Sequence, residues 1–91
     1  MGIAIVTLKI MPESPDTSLA PIQEKAGALI AAFGGKVGKI TIEEIAYGLK
    51  AIIFMFSMDE KLGGTDKLEE QINAIDGVNS AETTDVRRAI G

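Results

Sequence analysis

Near the start of the chain apolar residues fall at every second position: Ala4, Val6, Leu8 and Ile10, with Ile5, Thr7 and Lys9 between them. A period of two predicts a strand with one face more deeply buried than the other. The run ends near Met11, because the PESPD stretch at 12–16 holds two prolines and polar residues that cannot extend a ladder. The period then changes. Leu19, Ile22, Ala26, Leu29, Ile30 and Phe33 recur at helical spacing, with Gln23, Glu24 and Lys25 off that face. Asp16, Thr17 or Ser18 can cap the helix with a side-chain oxygen, and Gly34-Gly35 can end it with a left-handed residue.

From about Lys36 to Ile45 the β-branched residues Val37, Ile40, Ile42 and Ile45 predict a second strand. Ala46-Tyr47-Gly48 reads as a tight connection to a third, Leu49 to Met58. That strand carries Ile52, Phe54 and Phe56 on one face and Ala51, Ile53 and Met55 on the other, so it belongs in the middle of a sheet. After Gly63-Gly64, Leu68, Ile72 and Ile75 mark a second helix, with a cap at Thr65 or Asp66, capping-box spacing from Asp66 to Glu69, and Gly77 as its close. Val78 to about Arg88 is a last strand, weakly alternating and more polar. The order β-α-β-β-α-β predicts an α+β ferredoxin-like sandwich: a four-stranded antiparallel sheet with two helices on one face, strands one and three central, two and four at the edges.

Composition narrows what such a fold can do. Ninety-one residues make one domain, 1–91, and shares of 46% hydrophobic and 24% charged residues are those of a folded chain. A net charge of -4 argues against direct nucleic-acid binding, which needs a basic surface. Cysteine and histidine are absent. Disulfides, thiol chemistry and Cys-based metal sites are therefore excluded, and with the commonest bases and nucleophiles missing catalysis is less expected; the chain is taken as no enzyme and without a cofactor. The first ten residues alternate rather than forming a signal peptide, and the longest apolar run, Ala51 to Phe56, is too short to span a bilayer. A soluble cytoplasmic protein without a membrane partner is expected.

Two helices cover one side of the sheet only. The first and third strands then present Ile5, Thr7 and several apolar residues on the other side, to be covered by a partner, by a second copy, or by long side chains of the edge strands. Tyr47 and the MPESPD loop fall at one end of the sheet, and the chain terminus and Gly63-Gly64 at the other, on the order of 30 Å away. The Gly63–Asp66 stretch reads as a flexible loop and cap, since it has no lysine at phosphate-loop spacing and Asp66 would repel an anion. Asp59, Glu60, Glu69 and Glu70 read as solvated. Arg87 and Arg88, the only arginines, sit side by side near the end of an edge strand, where charge discourages aggregation.

Four blocks, IMPESPD at 10–16, IAYGLKAI at 45–52, GGTDKLEEQI at 63–72 and TTDVRR at 83–88, resemble in order and spacing the translation elongation factor 1-beta family, in its short archaeal form. The resemblance covers essentially the whole chain. It implies a guanine-nucleotide exchange factor for the elongation factor 1-alpha GTPase, with the ferredoxin-like fold. Larger eukaryotic relatives place an aromatic residue where Tyr47 stands, against a second domain of the GTPase, which carries partner contact to Tyr47, with Gly48 allowing the close turn. They also insert a lysine near the C-terminus toward the partner's Mg²⁺ and phosphate site. Ungapped from Thr84-Asp85-Val86, that position is Gly91, so the chain departs from the pattern. Arg87 and Arg88 are the nearest cations, on opposite faces by alternation, and Arg88 is the candidate replacement, with Asp85 orienting a neighbour. A rival reading is a small-molecule-binding regulatory domain of the same fold that dimerises through its sheet.

Overall fold

In a computed structural model, which describes residues 2–89, the alternation near the chain start becomes β1 (Ile3–Pro12). There follow α1 (Leu19–Phe33), β2 (Lys36–Ala46), β3 (Leu49–Asp59), a 3-10 turn (Glu60–Leu62), α2 (Asp66–Asn73) and β4 (Val78–Ala89). The strands form one antiparallel sheet in the order β2-β3-β1-β4, so the doubly apolar third strand is central and the polar fourth is an edge, as the patterning predicts. Across the β1–β3 ladder, Val6 faces Phe56, Leu8 faces Phe54 and Ile10 faces Ile52. These six form the floor of the core, and Ile22, Ala26 and Ile30 of α1 with Leu68 and Ile72 of α2 close it from above. Every one of them is excluded from solvent, at roughly 1.5–3 kcal/mol of hydrophobic stabilisation for each large side chain.

Helix ends depart from the predicted chemistry. Ser18 and Thr65 occupy the N-cap positions of α1 and α2, yet neither side chain caps. Thr17 Oγ1 instead accepts from the Ser14 backbone N–H at 3.2 Å, tying the loop after β1. Thr65 and Glu69 are drawn to β4: Thr65 Oγ1 lies 2.9 Å from Thr83 Oγ1, and the Glu69 carboxylate accepts from the Thr83 N–H at 2.9 Å. The capping box expected from Asp66 and Glu69 is therefore not made. Gly34 does end α1 in the left-handed region, at φ 107°. Gly77, expected to close α2, lies beyond it in the turn into β4. There its φ is 92°, its carbonyl accepts from the Glu13 N–H at 2.8 Å, and a Cβ would meet Thr17 at 2.9 Å.

The bonds from α2 also finish one edge of the sheet. Asn73 Nδ2 donates to the Ala81 carbonyl at 3.3 Å and its Oδ1 accepts from the Ala81 N–H at 3.1 Å, so α2 satisfies the outward backbone groups of Ala81 as well as the Thr83 N–H. Asn73→Ala removes both bonds and is expected to cost about 1–2 kcal/mol. Urea unfolding checks this as a lower midpoint with an unchanged slope.

The open face is less bare than expected. Ile5, Thr7 and Ile53 are half-buried, while Ile3 and Met55 are exposed. Ile40, Ile42, Ile45 and Tyr47 form a second group of exposed apolar residues on β2 and its hairpin.

Candidate functional site

At the hairpin end, Ala46 pairs with Leu49 and leaves Tyr47 and Gly48 as a two-residue turn. Both have positive φ, 52° and 80°, the backbone of the tight hairpin turn whose twist matches that of the strands. Glycine adopts that region freely. For tyrosine it is costly, by roughly 1–2 kcal/mol, and Tyr47 is the one non-glycine residue among those described with positive φ. Its side chain is 99% exposed, so no contact within the chain offsets that cost. A strained aromatic held wholly in solvent is the kind of outlier that marks a binding contact. Beside the turn, Pro12, Ser14, Pro15, Thr17 and Lys50 line a shallow hollow of about 230 Å³. The loop after β1 and the hairpin tip thus share one end, as the topology predicts.

At the other end β3 and β4 flank β1, and both Asp59 and Ala89 are opposite Ile3. Glu60, just past β3, and Arg88, near the end of β4, meet over the start of β1: Arg88 Nε donates to Glu60 Oε1 at 2.8 Å. They rim a hollow of about 440 Å³ whose floor is Ala4, Val6, Met58 and Val86 and whose far wall is Gly63, Gly64 and Thr65. Arg87 is on the opposite face, across from Ile5, and its Nε donates to Asp85 at 2.8 Å. The neighbour that Asp85 pairs with is therefore Arg87. Both guanidinium groups remain about 80% exposed, so neither ion pair is a strong stabilising element.

Which arginine looks which way depends on a bulge. Leu8 is opposite Thr83 and Thr7 is opposite Asp85, so Thr84 is an extra residue in β4. Its hydroxyl donates to the Thr7 carbonyl at 3.3 Å. Before the bulge the odd-numbered residues Ala81 and Thr83 share the helix-covered face with Ile10 and Leu8. Beyond it Val86 and Arg88 do. Arg88 consequently stands by the start of α2 and Arg87 on the open face. Glu60 went unrecognised in the sequence, where it was one of several acidic residues; the signal available was the antiparallel strand order itself, which brings the ends of β3 and β4 to the same place. Gly91, the position of the relatives' lysine, lies outside the described residues.

A bare aromatic and an arginine beside a hollow with an apolar floor thus stand at opposite ends of a ferredoxin-like body 42 Å long. Residues 5–89 match the family model described as the EF-1 guanine nucleotide exchange domain, and the chain belongs to that family. The relatives are of matching length. The chain is 41% identical over 88 residues to elongation factor 1-beta of Methanothermobacter thermautotrophicus, covering 97% of this chain and 98% of that one. It is 44% identical over 89 residues to elongation factor 1-beta of Sulfurisphaera tokodaii, covering 97% of each. Among solved structures, the C-terminal domain of the MgtC protein from Mycobacterium tuberculosis superposes with a TM-score of 0.71 over 97% of this chain and 89% of that domain. At 9% identity that likeness shows the fold alone. Family membership makes the chain a guanine-nucleotide exchange domain of translation elongation. Among the described residues no helix is long and apolar enough to cross a membrane.

Proposed function

We propose that residues 1–91 act as a single exchange domain in the cytoplasm, gripping the elongation factor 1-alpha GTPase with Tyr47 and Gly48 at one end and bringing Arg88 to the nucleotide-binding domain with the other. Bound GDP is held by the partner's own contacts, and no covalent step is needed. A factor that prefers the nucleotide-free GTPase lowers nucleotide affinity by the same factor by which nucleotide lowers its own, because the coupling is reciprocal. The function needs neither cofactor nor nucleic-acid contact of its own.

The observation that carries the reading is Tyr47, strained at φ 52° and 99% exposed at the tip of a hairpin in a chain that matches the exchange-domain model from residue 5 to 89. Arg88 supplies the second contact in this reading. It already faces the helix side of the sheet, and its exposed pair with Glu60 is weak enough to be exchanged for a partner's acidic group or phosphate. Asp85 and Arg87, paired on the open face, have the lesser role.

Release of fluorescent GDP from the cognate GTPase tests this. Saturating wild-type protein is expected to accelerate release; Arg88→Ala is expected to lower that acceleration about tenfold and Arg87→Ala about two- to threefold, both with unchanged thermal stability. No acceleration by the wild type overturns the reading. Acceleration that both variants retain in full removes the arginines from it.

A further inference from the structure

The ion pair at the rim of the larger hollow joins two very unequal partners. The Glu60 side chain is 30% exposed, and its backbone is fixed on both sides: its N–H donates to the Gly2 carbonyl at 3.0 Å, and its carbonyl accepts from the Gly63 N–H at 3.2 Å. Asp59 ties the same 3-10 turn by accepting from the Lys61 N–H at 2.9 Å. A Cβ at Gly2 would overlap the Glu60 carboxylate, so the bare glycine is what leaves room for that group beside the start of β1. Arg88, by contrast, is 81% exposed on an edge strand, and among the described residues Glu60 is its one charged partner. The pair therefore has a fixed member and a movable one. A long side chain on an exposed edge keeps its rotamer freedom unless something holds it, and here the fixed carboxylate sets where the guanidinium stands.

We infer that Glu60 is a positioning residue that competes with the GTPase for Arg88 and takes it back when the complex parts, an inference that rests on the placement of Arg88 at the nucleotide-binding domain. When Arg88 turns to an acidic group or phosphate of the partner, the 2.8 Å pair with Glu60 breaks. A carboxylate only 30% exposed is then left beside the anion that Arg88 has drawn close. Sharing the guanidinium between the two would hold two negative groups side by side, which like charges disfavour. Both effects weaken the bound state relative to a chain with a neutral group at position 60, and for an exposed pair the effect on an equilibrium is about two- to fivefold.

Exchange needs that weakening. The factor must hold the nucleotide-free GTPase while GDP leaves and then yield to GTP. By reciprocity, whatever it gains in affinity for the empty GTPase is lost in how readily nucleotide displaces it. A carboxylate of the same chain, always within reach of the guanidinium, offers a substitute partner at high effective concentration, so Arg88 leaves the GTPase without standing unpaired.

Glu60→Gln keeps the length of the side chain and removes its charge. The factor concentration giving half-maximal acceleration of fluorescent GDP release is expected to fall about two- to fivefold, and the rate at which excess fluorescent GTP enters the preformed nucleotide-free complex to fall by a similar factor. Damage to the fold would raise the half-maximal concentration, so the direction of change separates positioning from a structural role. In an Arg88→Ala background the same substitution is expected to shift either quantity by less than about 1.5-fold, because the two residues act through one another. A Glu60→Gln variant whose half-maximal concentration is unchanged or raised overturns the proposal, as does GTP entry as fast as in the wild type. So does a gain of the same size without Arg88. Full acceleration by Arg88→Ala alone overturns instead the placement of Arg88 at the nucleotide-binding domain, and the competition with it.

Discussion

Replacing Tyr47 by glycine is expected to raise the stability of the protein and at the same time to cut its exchange activity about thirtyfold or more. The two effects have different origins. At φ 52° tyrosine occupies a region that costs an L-residue roughly 1–2 kcal/mol, and glycine removes that cost. The extra freedom of glycine in the unfolded chain offsets about 0.5–1 kcal/mol of the gain, so a net rise of a few tenths to about 1 kcal/mol, or a few degrees in Tm, remains. The ring, 99% exposed, has no packing to lose. An aromatic anchor seated in a partner's pocket typically contributes about 2 kcal/mol or more, which sets the scale of the loss in exchange. Tyr47→Ala separates the two, because alanine keeps the disfavoured backbone while losing the ring; it should lose exchange without the gain in Tm. Tyr47→Phe should retain most of the exchange. Full activity in the alanine variant would remove Tyr47 from the interface.

The largest loss of stability is expected at Phe54. It is fully buried at the middle of β3, opposite Leu8 on one side and Ile40 on the other, with Gly27 of α1 above its ring: a Cβ at Gly27 would lie 3.9 Å from Phe54 Cε1. Alanine there leaves a void that the sheet and helix can fill only by moving together, at about 3–5 kcal/mol. A domain of this size is held by little more than that, near the lower end of the usual 5–15 kcal/mol. Phe54→Ala is therefore expected to lose most of the stability of the fold, seen by circular dichroism as a Tm lowered by about 15 °C or more. Exchange should fall in proportion to the unfolded fraction. Phe54→Leu, which keeps most of the volume, should restore most of both.

Elements defined by local periodicity were legible. The alternation in β1, the stripe from Ile22 to Ile30 in α1 and the apolar faces of β3 each state which side of an element is buried, and burial decides secondary structure in a small domain. Strand order followed, since the most apolar strand takes the centre. The proposed contacts were legible as residue types, Tyr47 because it stands alone in a tight connection and the arginines because there are no others. Their surroundings were not. Asp66 and Glu69 have the spacing of a capping box, but the Thr83 N–H competes for Glu69, and a bond to an edge strand 14 residues away has no local signature. Gly77 looks like a helix terminator, while its φ serves a turn that also holds the loop at Glu13. Glu60 was one carboxylate among several until β3 and β4 set it beside Arg88.

By itself the amino-acid sequence determined the element order, the buried faces and the sheet with its two central strands, because each follows from the spacing of apolar residues within a single element. It also placed Tyr47 and the arginines at opposite ends. Only the tertiary structure decided that the tyrosine is held at positive φ, that Glu60 meets Arg88, and that the extra residue at Thr84 turns Arg88 toward α2 and Arg87 away from it. A bulge is a mismatch between two strands, and its position depends on what both strands and the helix above them bond to at once. No single stretch of sequence contains that sum.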